Sequence, residues 1–396
     1  MKKTLIALAA LSCASSVMAQ SNVTLYGVLD QSVGFTSHVQ NGNGTAGSQF
    51  GLYPAGGLEG SRWGLRGSED LGNGLSAFFQ VESGMDLGTG RFTENNTLFN
   101  RKALVGLRSS TFGSIALGRQ ADFVSDFVAP HSQIARFARS VGGAPFDLNN
   151  FDYTHQLQNA IKYVSPLFGH FYVGGAVSLS GVAGATGQNL VWSLGAGYDH
   201  GPFKAGLAYT DSKNAAFNPL LAKLDAPGVR TVLSTAAVPI GNVPATGQSG
   251  SRYRVGAIGG SYDFGQASLA ATYSLVHSSI DGRAGALAGT AGNTTTFTAH
   301  IAELSGTFKV NPTVSLGLGY SYTRLRVRQN GGYAATLQFH GLTAGAAYAL
   351  SRRTEIYTTA GVQRGSGDTP FSFINGVGPS NVRTQAHVRV GLRHAF

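Results

Sequence analysis

The segment "SRWGLRGSED", residues 61–70, alternates strictly. Successive side chains of an extended chain point to opposite sides, so Trp63, Leu65 and Gly67 share one face and Arg62, Gly64, Arg66 and Ser68 the other. One face suits an apolar solvent, and the other holds two arginines that require water. In a soluble sandwich the arginine face would be the protein surface. The rest of the chain points to a different solvent on each side.

The same reading extends to "TVSLGLGYSY", 313–322, where Val314, Leu316, Leu318, Tyr320 and Tyr322 oppose Thr313, Ser315, Gly317, Gly319 and Ser321. That apolar row covers roughly 30 Å of strand, or about 23 Å of height at a tilt of about 40°. "QASLAATYS", 266–274, repeats it with Ala267, Leu269, Ala271 and Tyr273 outward. Short turn signals fall at 71–74, 111–114, 167–170, 199–202, 263–266, 310–313 and 350–354. Longer polar or Gly-rich segments fall near 37–58, 88–98, 120–157, 180–189, 212–250, 279–295, 329–334 and 365–381. Seven turns and eight loops predict sixteen strands. An even strand number with short turns at one end and long loops at the other is the layout of an all-β, antiparallel transmembrane barrel. In hydrocarbon every backbone group must be bonded internally, so strands cross only as a closed barrel, and sixteen leave an aqueous lumen.

Composition agrees. Gly is 56 of 396 residues and charged residues only 12%, about half the share of a soluble protein, while 23 Phe and 15 Tyr argue against disorder. At the N-terminus, Lys2 and Lys3 precede an apolar run from Leu5 to Val17, with small residues before Ala19. This predicts a secretory signal over 1–19 and a single barrel domain over 20–396. Cys13 lies inside that leader, so the mature chain has no thiol chemistry and no disulfide. It keeps 27 basic residues against 19 acidic ones, scattered singly rather than in runs, which suits anionic solutes or phosphorylated lipid better than nucleic acid.

From "SNVTLYGVLD" at 21–30 through "SRWGLRGSEDLGNGLSAFFQVESG", "LFNRKALVGL", "TFGSIALGRQ" and "NAIKYVSP" to "VRVGLRHAF", the chain resembles the general porins of Gram-negative β-proteobacteria. The resemblance implies a homotrimeric, sixteen-stranded barrel spanning the outer membrane many times, with the third long loop, 120–157, folded inward as a constriction. It implies wall cations at Arg62, Arg101 and Lys162 and a wall acid at Glu82. Alternation supports Arg62, Lys162 and Glu82, whereas "RKALVGL" leaves open whether Arg101 or Lys102 faces inward. The C-terminal strand, with Val388, Val390, Leu392, His394 and Phe396 on one face, resembles the signal read by the barrel-assembly machinery, with His394 where an aromatic is more usual.

Fixed charge at a narrow passage with low-dielectric walls sorts solutes by sign. Three wall cations against Glu82, moderated by Asp122 and Asp126 of the loop but joined there by His131, Arg136 and Arg139, predict a weak to moderate anion preference. Arg66, Arg389 and Arg393 are expected to line the water-filled lumen. Arg324, Arg326 and Arg328 continue the outward register of Tyr322. They either hold lipopolysaccharide phosphates, turn inward at a bulge, or belong to an exposed loop. "GNGTAG", 42–47, fits a phosphate-cradle spacing but has no strand-to-helix context. No H-E-x-x-H or G-x-S-x-G motif is present, so neither an enzyme nor a cofactor is expected. The competing readings are a barrel enzyme, which needs a Ser/His or Asp/His pair in register, and an adhesin-like barrel with a plugged lumen. The small inward residues Gly317, Gly319, Ser268 and Thr272 argue against a plug.

Overall fold

The computed structural model describes residues 22–40, 45–53, 57–94, 96–184, 186–187, 189–213, 217–218, 233, 251–281, 294–330 and 332–396. The leader over 1–19, the first half of 42–47 and most of 212–250 and 279–295 lie outside the described residues.

Alternation dictates extended chain almost throughout. The strands are β1 (Asn22–Gln40), β2 (Ala46–Leu52), β3 (Arg62–Gly72), β4 (Leu75–Gly84), β5 (Lys102–Ser109), β6 (Gly113–Gln120), β7 (Leu157–Val164), β8 (Phe171–Ser178), β9 (Val191–His200) and β10 (Phe203–Ser212). They continue as β11 (Arg252–Asp263), β12 (Ala267–Asp281), β13 (Thr294–Lys309), β14 (Val314–Gln329), β15 (Ala334–Ala349) and β16 (Thr354–Gly367). A hairpin of β17 (Ser372–Ile374) and β18 (Gly378–Ser380) precedes β19 (Thr384–Ala395). From β3 to β16 each strand pairs antiparallel with the next, β16 pairs with β19, and β19 closes on β1. β2 and β3 both pair along β1, at Val33↔Leu52 and Val28↔Arg62, and so are two halves of one stave. The result is a closed antiparallel barrel of sixteen staves. All seven short turns fall between paired strands at the predicted places. At "LGNG" both Asn73 (φ 53°) and Gly74 (φ 73°) take the left-handed conformation that suits a tight hairpin.

The first connection differs from its expected span of 37–58. β1 and β2 extend well into it, with Phe50 and Leu52 outward, because the glycine-rich "AGSQFGL" alternates too faintly to read as a strand. The chain instead leaves the ladder between Leu52 and Arg62. Side chains satisfy the backbone groups this exposes: Ser61 Oγ accepts from Asp30 N–H at 2.9 Å and donates to Asp30 O at 2.7 Å, and Gln31 donates to Tyr53 O at 3.0 Å.

On the lower two-thirds of the wall the large apolar side chains are the exposed ones. Leu318 is 57% exposed and Leu304 59%, a display that water would penalise and lipid accommodates. Replacing Leu318 with arginine should cost about 2–4 kcal/mol of stability in bilayers, measured by urea-dependent unfolding from lipid vesicles. An unchanged midpoint would show that this face is not in hydrocarbon.

Candidate functional site

The long segment between β6 and β7 enters the barrel as short helical turns at Val124–Val128, Ala129–His131, Ile134–Ala138, Arg139–Gly142 and Pro145–Asp147. It is held by an apolar core inside the barrel. Phe123, Val128, Ile134, Phe146, Leu148 and Phe151 pack on inward residues such as Val255, Val276, Phe297, Leu325, Val327, Leu337 and Phe339. Lower on the same wall, Gly317 and Gly319 receive the loop. A Cβ on Gly317 would meet the Phe137 ring, and one on Gly319 would meet Gln133. The small inward residues therefore seat the loop rather than line open water. This side of the lumen is filled, and the charged residues gather on the other, against β1 and β3–β6.

There Glu82 is the hub. Its carboxylate accepts from Arg101 Nε at 2.7 Å and Tyr26 Oη at 2.9 Å, with Arg62 Nε 3.7 Å away. Arg101 reaches Glu82 from just before the ladder, while register sets Lys102 opposite Glu82, so both basic residues of "RKAL" border the cluster. Arg62 also binds Glu59 at 2.5 Å, and Arg393 ties Glu59 (2.6 Å) to Glu355 (3.2 Å). Glu59 N–H in turn donates to Asp30 at 2.7 Å, which fixes the excursion between β2 and β3. Burial raises the Glu59 carboxyl, but the Arg62 and Arg393 guanidiniums outweigh it and hold it below the usual carboxylate range. From the loop, Arg139 binds Asp152 at 2.9 Å. A Cβ on Gly60 would lie 3.0 Å from Arg139 Nη2 and 3.6 Å from Arg101 Nη1, so the two guanidiniums meet over that backbone. Arg119 closes the cluster through Glu94 (2.5 Å) and Gln156 (2.9 Å). Beneath it, toward the short turns, a cavity of about 230 Å³ is bordered by Glu59, Arg136, Lys309, Glu355 and Arg393.

Several residues singled out in the sequence serve elsewhere. Lys162 points inward but is covered: it pairs with Asp126, donates to Ala121 O at 2.8 Å and lies 4.4 Å from the Phe123 ring centre. Asp122 does not reach the passage. It is fully buried behind the loop, accepting from Ser125 N–H (3.0 Å) and Thr210 Oγ1 (2.9 Å), and burial pushes its carboxyl upward. Arg389 faces inward yet is only 2% exposed, because Tyr53 and the loop close over it; it donates to Thr359 and to Ala138 O. Arg66 remains exposed beside the Tyr26 ring. Arg136 is spent on Ser268 and Thr307, and His131 on Ser261. Glu59 and Glu355, which carried no motif, join the cluster, as does Arg119 of "TFGSIALGRQ", to which no role was assigned.

The pattern of the family described as Gram-negative porin matches residues 4–368. The chain is 34% identical over 248 residues to an outer membrane porin protein of Bordetella pertussis, covering 57% of this chain and 63% of that one. It is 33% identical over 228 residues to outer membrane porin protein 32 of Delftia acidovorans, covering 54% and 61%. It thus spans less than two-thirds of the length of these relatives. The fold resembles that of an anion-selective porin from Comamonas acidovorans, with a TM-score of 0.70 and 23% identity over 95% of this chain and all of that one.

Asp122 anchors the first helical turn, so Asp122→Ala should leave the Ser125 N–H without its partner, at a cost of about 1–3 kcal/mol. Hydrogen exchange of amides in 122–128 should quicken while the barrel ladder stays protected. Unchanged exchange there would show that Asp122 does not seat the loop.

Proposed function

The chain belongs to the Gram-negative porin family, and we propose that it forms a water-filled passage through the outer membrane for passive diffusion of small hydrophilic solutes and ions, with a modest anion preference. The observation that carries this reading is the guanidinium cluster of Arg62, Arg101 and Arg139, which stands where the inward loop approaches the opposite wall. Around it the described groups are Arg62, Arg101, Lys102, Arg119, Arg139 and Arg393 against Glu59, Glu82, Glu94, Asp152 and Glu355. Nearly every arginine is paired, so the excess is about one positive charge. That favours anions without excluding cations, and over a Debye length of about 8 Å it acts on every ion at the constriction.

The same reading extends to partners. Outward Val33, Phe35, Phe50 and Leu52 give β1 and β2 a large apolar display, which suits burial against other copies in a homotrimer. The outward Val388, Val390 and Leu392 of β19, with Phe396 just beyond it, suit recognition by the barrel-assembly machinery. Residues 1–19 serve as the export signal and are removed, leaving 20–396 as the barrel. Lipopolysaccharide is the natural neighbour of the remaining outer wall.

In planar bilayers under a tenfold KCl gradient, the reversal potential should be anion-selective, weaken in Arg62→Ala and strengthen in Glu59→Gln. A potential unmoved by both would remove the cluster from the conduction path. Because Glu59 is held below the usual carboxylate range, the difference in anion preference between wild type and Glu59→Gln should persist through that range and close only at more acidic pH, when the carboxylate gains its proton. A difference already lost at higher pH would contradict this placement.

A further inference from the structure

β14 changes its amphipathic sense along its length without any break in register. Its pairs run unbroken from Lys309↔Ser315 to Thr295↔Gln329 on one side and from Val314↔Tyr348 to Arg328↔Ala334 on the other. Up to Tyr322 the outward residues are apolar or aromatic and the inward ones small or polar. From Thr323 upward the inward residues are Leu325 and Val327, fully buried, and the outward ones are Arg324, Arg326 and Arg328, all exposed. An inward bulge is therefore excluded, and so is an irregular loop.

The neighbouring strands invert at the same level. Outward Tyr273 and Leu275 give way to His277 on β12, Leu304 and Ala302 to His300 on β13, and Leu342 to His340 and Gln338 on β15. One cross-strand row, Leu275–His300–Arg324–Gln338, marks the line. Immediately below it sit tyrosines, with Tyr273 bonded to His300 and Tyr320 to His340, each at 2.7 Å. Tyrosine rings with one wet end belong at a lipid–water boundary.

Above the line, His277, Thr296, Thr298, His300, the three arginines and Gln329 border an open cleft of about 500 Å³ on the outer wall. Besides the three arginines its titratable lining is His277 and His300; Arg254 and Arg252 lie beyond His277 on β11 and are held on Asp211. None of Arg324, Arg326 and Arg328 has an ion-pair partner among the described residues. Alternate residues of a strand are about 6.8 Å apart, so the three guanidiniums form an evenly spaced ladder rather than a point charge. Three clustered cations that face away from the lumen do nothing for a permeating solute. They stand at the height where an outer-leaflet lipid carries its headgroup, with Tyr320, Leu318 and Leu304 below to receive acyl chains.

We infer that this face is a binding site for a phosphorylated glycolipid of the outer leaflet, whose phosphates take charge-assisted bonds from Arg324, Arg326 and Arg328 while its chains cover the apolar wall below. The site rests on the reading of the chain as an outer-membrane barrel but not on conduction through it.

Native mass spectrometry of the detergent-solubilised protein with bisphosphorylated lipid A, and with the same lipid stripped of phosphate, tests it. Wild type should prefer the phosphorylated lipid by about tenfold or more, the scale of a charge-assisted bond. The triple change Arg324→Ser, Arg326→Ser and Arg328→Ser should abolish the preference. The double change Arg352→Ser and Arg353→Ser, exposed arginines of the opposite rim, should keep it. Equal affinity for both lipids, or an unaffected triple variant, would overturn the site. Full displacement of lipid A by inorganic pyrophosphate would make it a site for free anions and overturn the lipid assignment. Single-channel conductance of the triple variant should match wild type; a lipid-binding barrel without conductance would sink the channel reading and leave this one standing.

Discussion

Everything in this molecule depends on one constraint: no backbone N–H or C=O can be left open in hydrocarbon. A sheet of this length meets it only by returning to its first strand. The return is made between β19 and β1, and it runs to the last residue, where Gly27 and Phe396 exchange both backbone bonds at 3.0 Å. Between β2 and β3 the ladder opens, and the groups this exposes are taken up by Ser61, Gln31 and Asp30. That repair also places Glu59 in the lumen, so the defect in the wall and part of the acidic half of the lumenal charge cluster are one feature.

Closure creates an inside large enough to need organising. The upper lumen is apolar on β11–β15, and the loop after β6 covers it with Phe146, Leu148 and Phe151, while Phe123 packs over Gly174 and Gly195 of β8 and β9. The core of this protein thus lies within the barrel and against one wall. Displacing the passage toward β1 and β3–β6 brings Arg139 of the loop over Gly60, next to Arg101 and Arg62. The pairing of these arginines with Glu59, Glu82 and Asp152 holds them in place and also cancels most of their charge. Rigidity is therefore gained at this site at the expense of net charge.

Much of the fold was legible in the sequence because alternation of period two reports which face a side chain takes. Arg62 opposite Trp63, the "TVSLGLGYSY" row and the seven turns needed nothing more. The resemblance to a known family singled out Glu82 and Arg101, which alternation alone does not rank above other inward residues. What alternation cannot report is what covers a residue once it points inward. Arg389 and Lys162 read as water-lined cations and are sealed by Tyr53 and by the loop. Asp122 and Arg139 both sit in a stretch with no periodicity, and only the path of the loop separates the buried anchor from the guanidinium at the passage. Glu59 lies in a glycine-rich break with no motif at all. The inversion at Thr323 was written in "YSYTRLRVRQ", but its meaning depended on showing that the ladder does not slip there.

One strand, β3, thus has water on one face and lipid on the other along a run of alternating residues. Single-cysteine variants Arg62→Cys and Leu65→Cys, made with Cys13 absent, can be treated with a negatively charged, membrane-impermeant thiol reagent while current is recorded through single channels. Arg62→Cys should react with a stepwise fall in current and a loss of anion preference, and Leu65→Cys in lipid should do neither. Reaction at Leu65→Cys with the same block, or an Arg62→Cys variant whose current never changes, would rule out a two-sided β3.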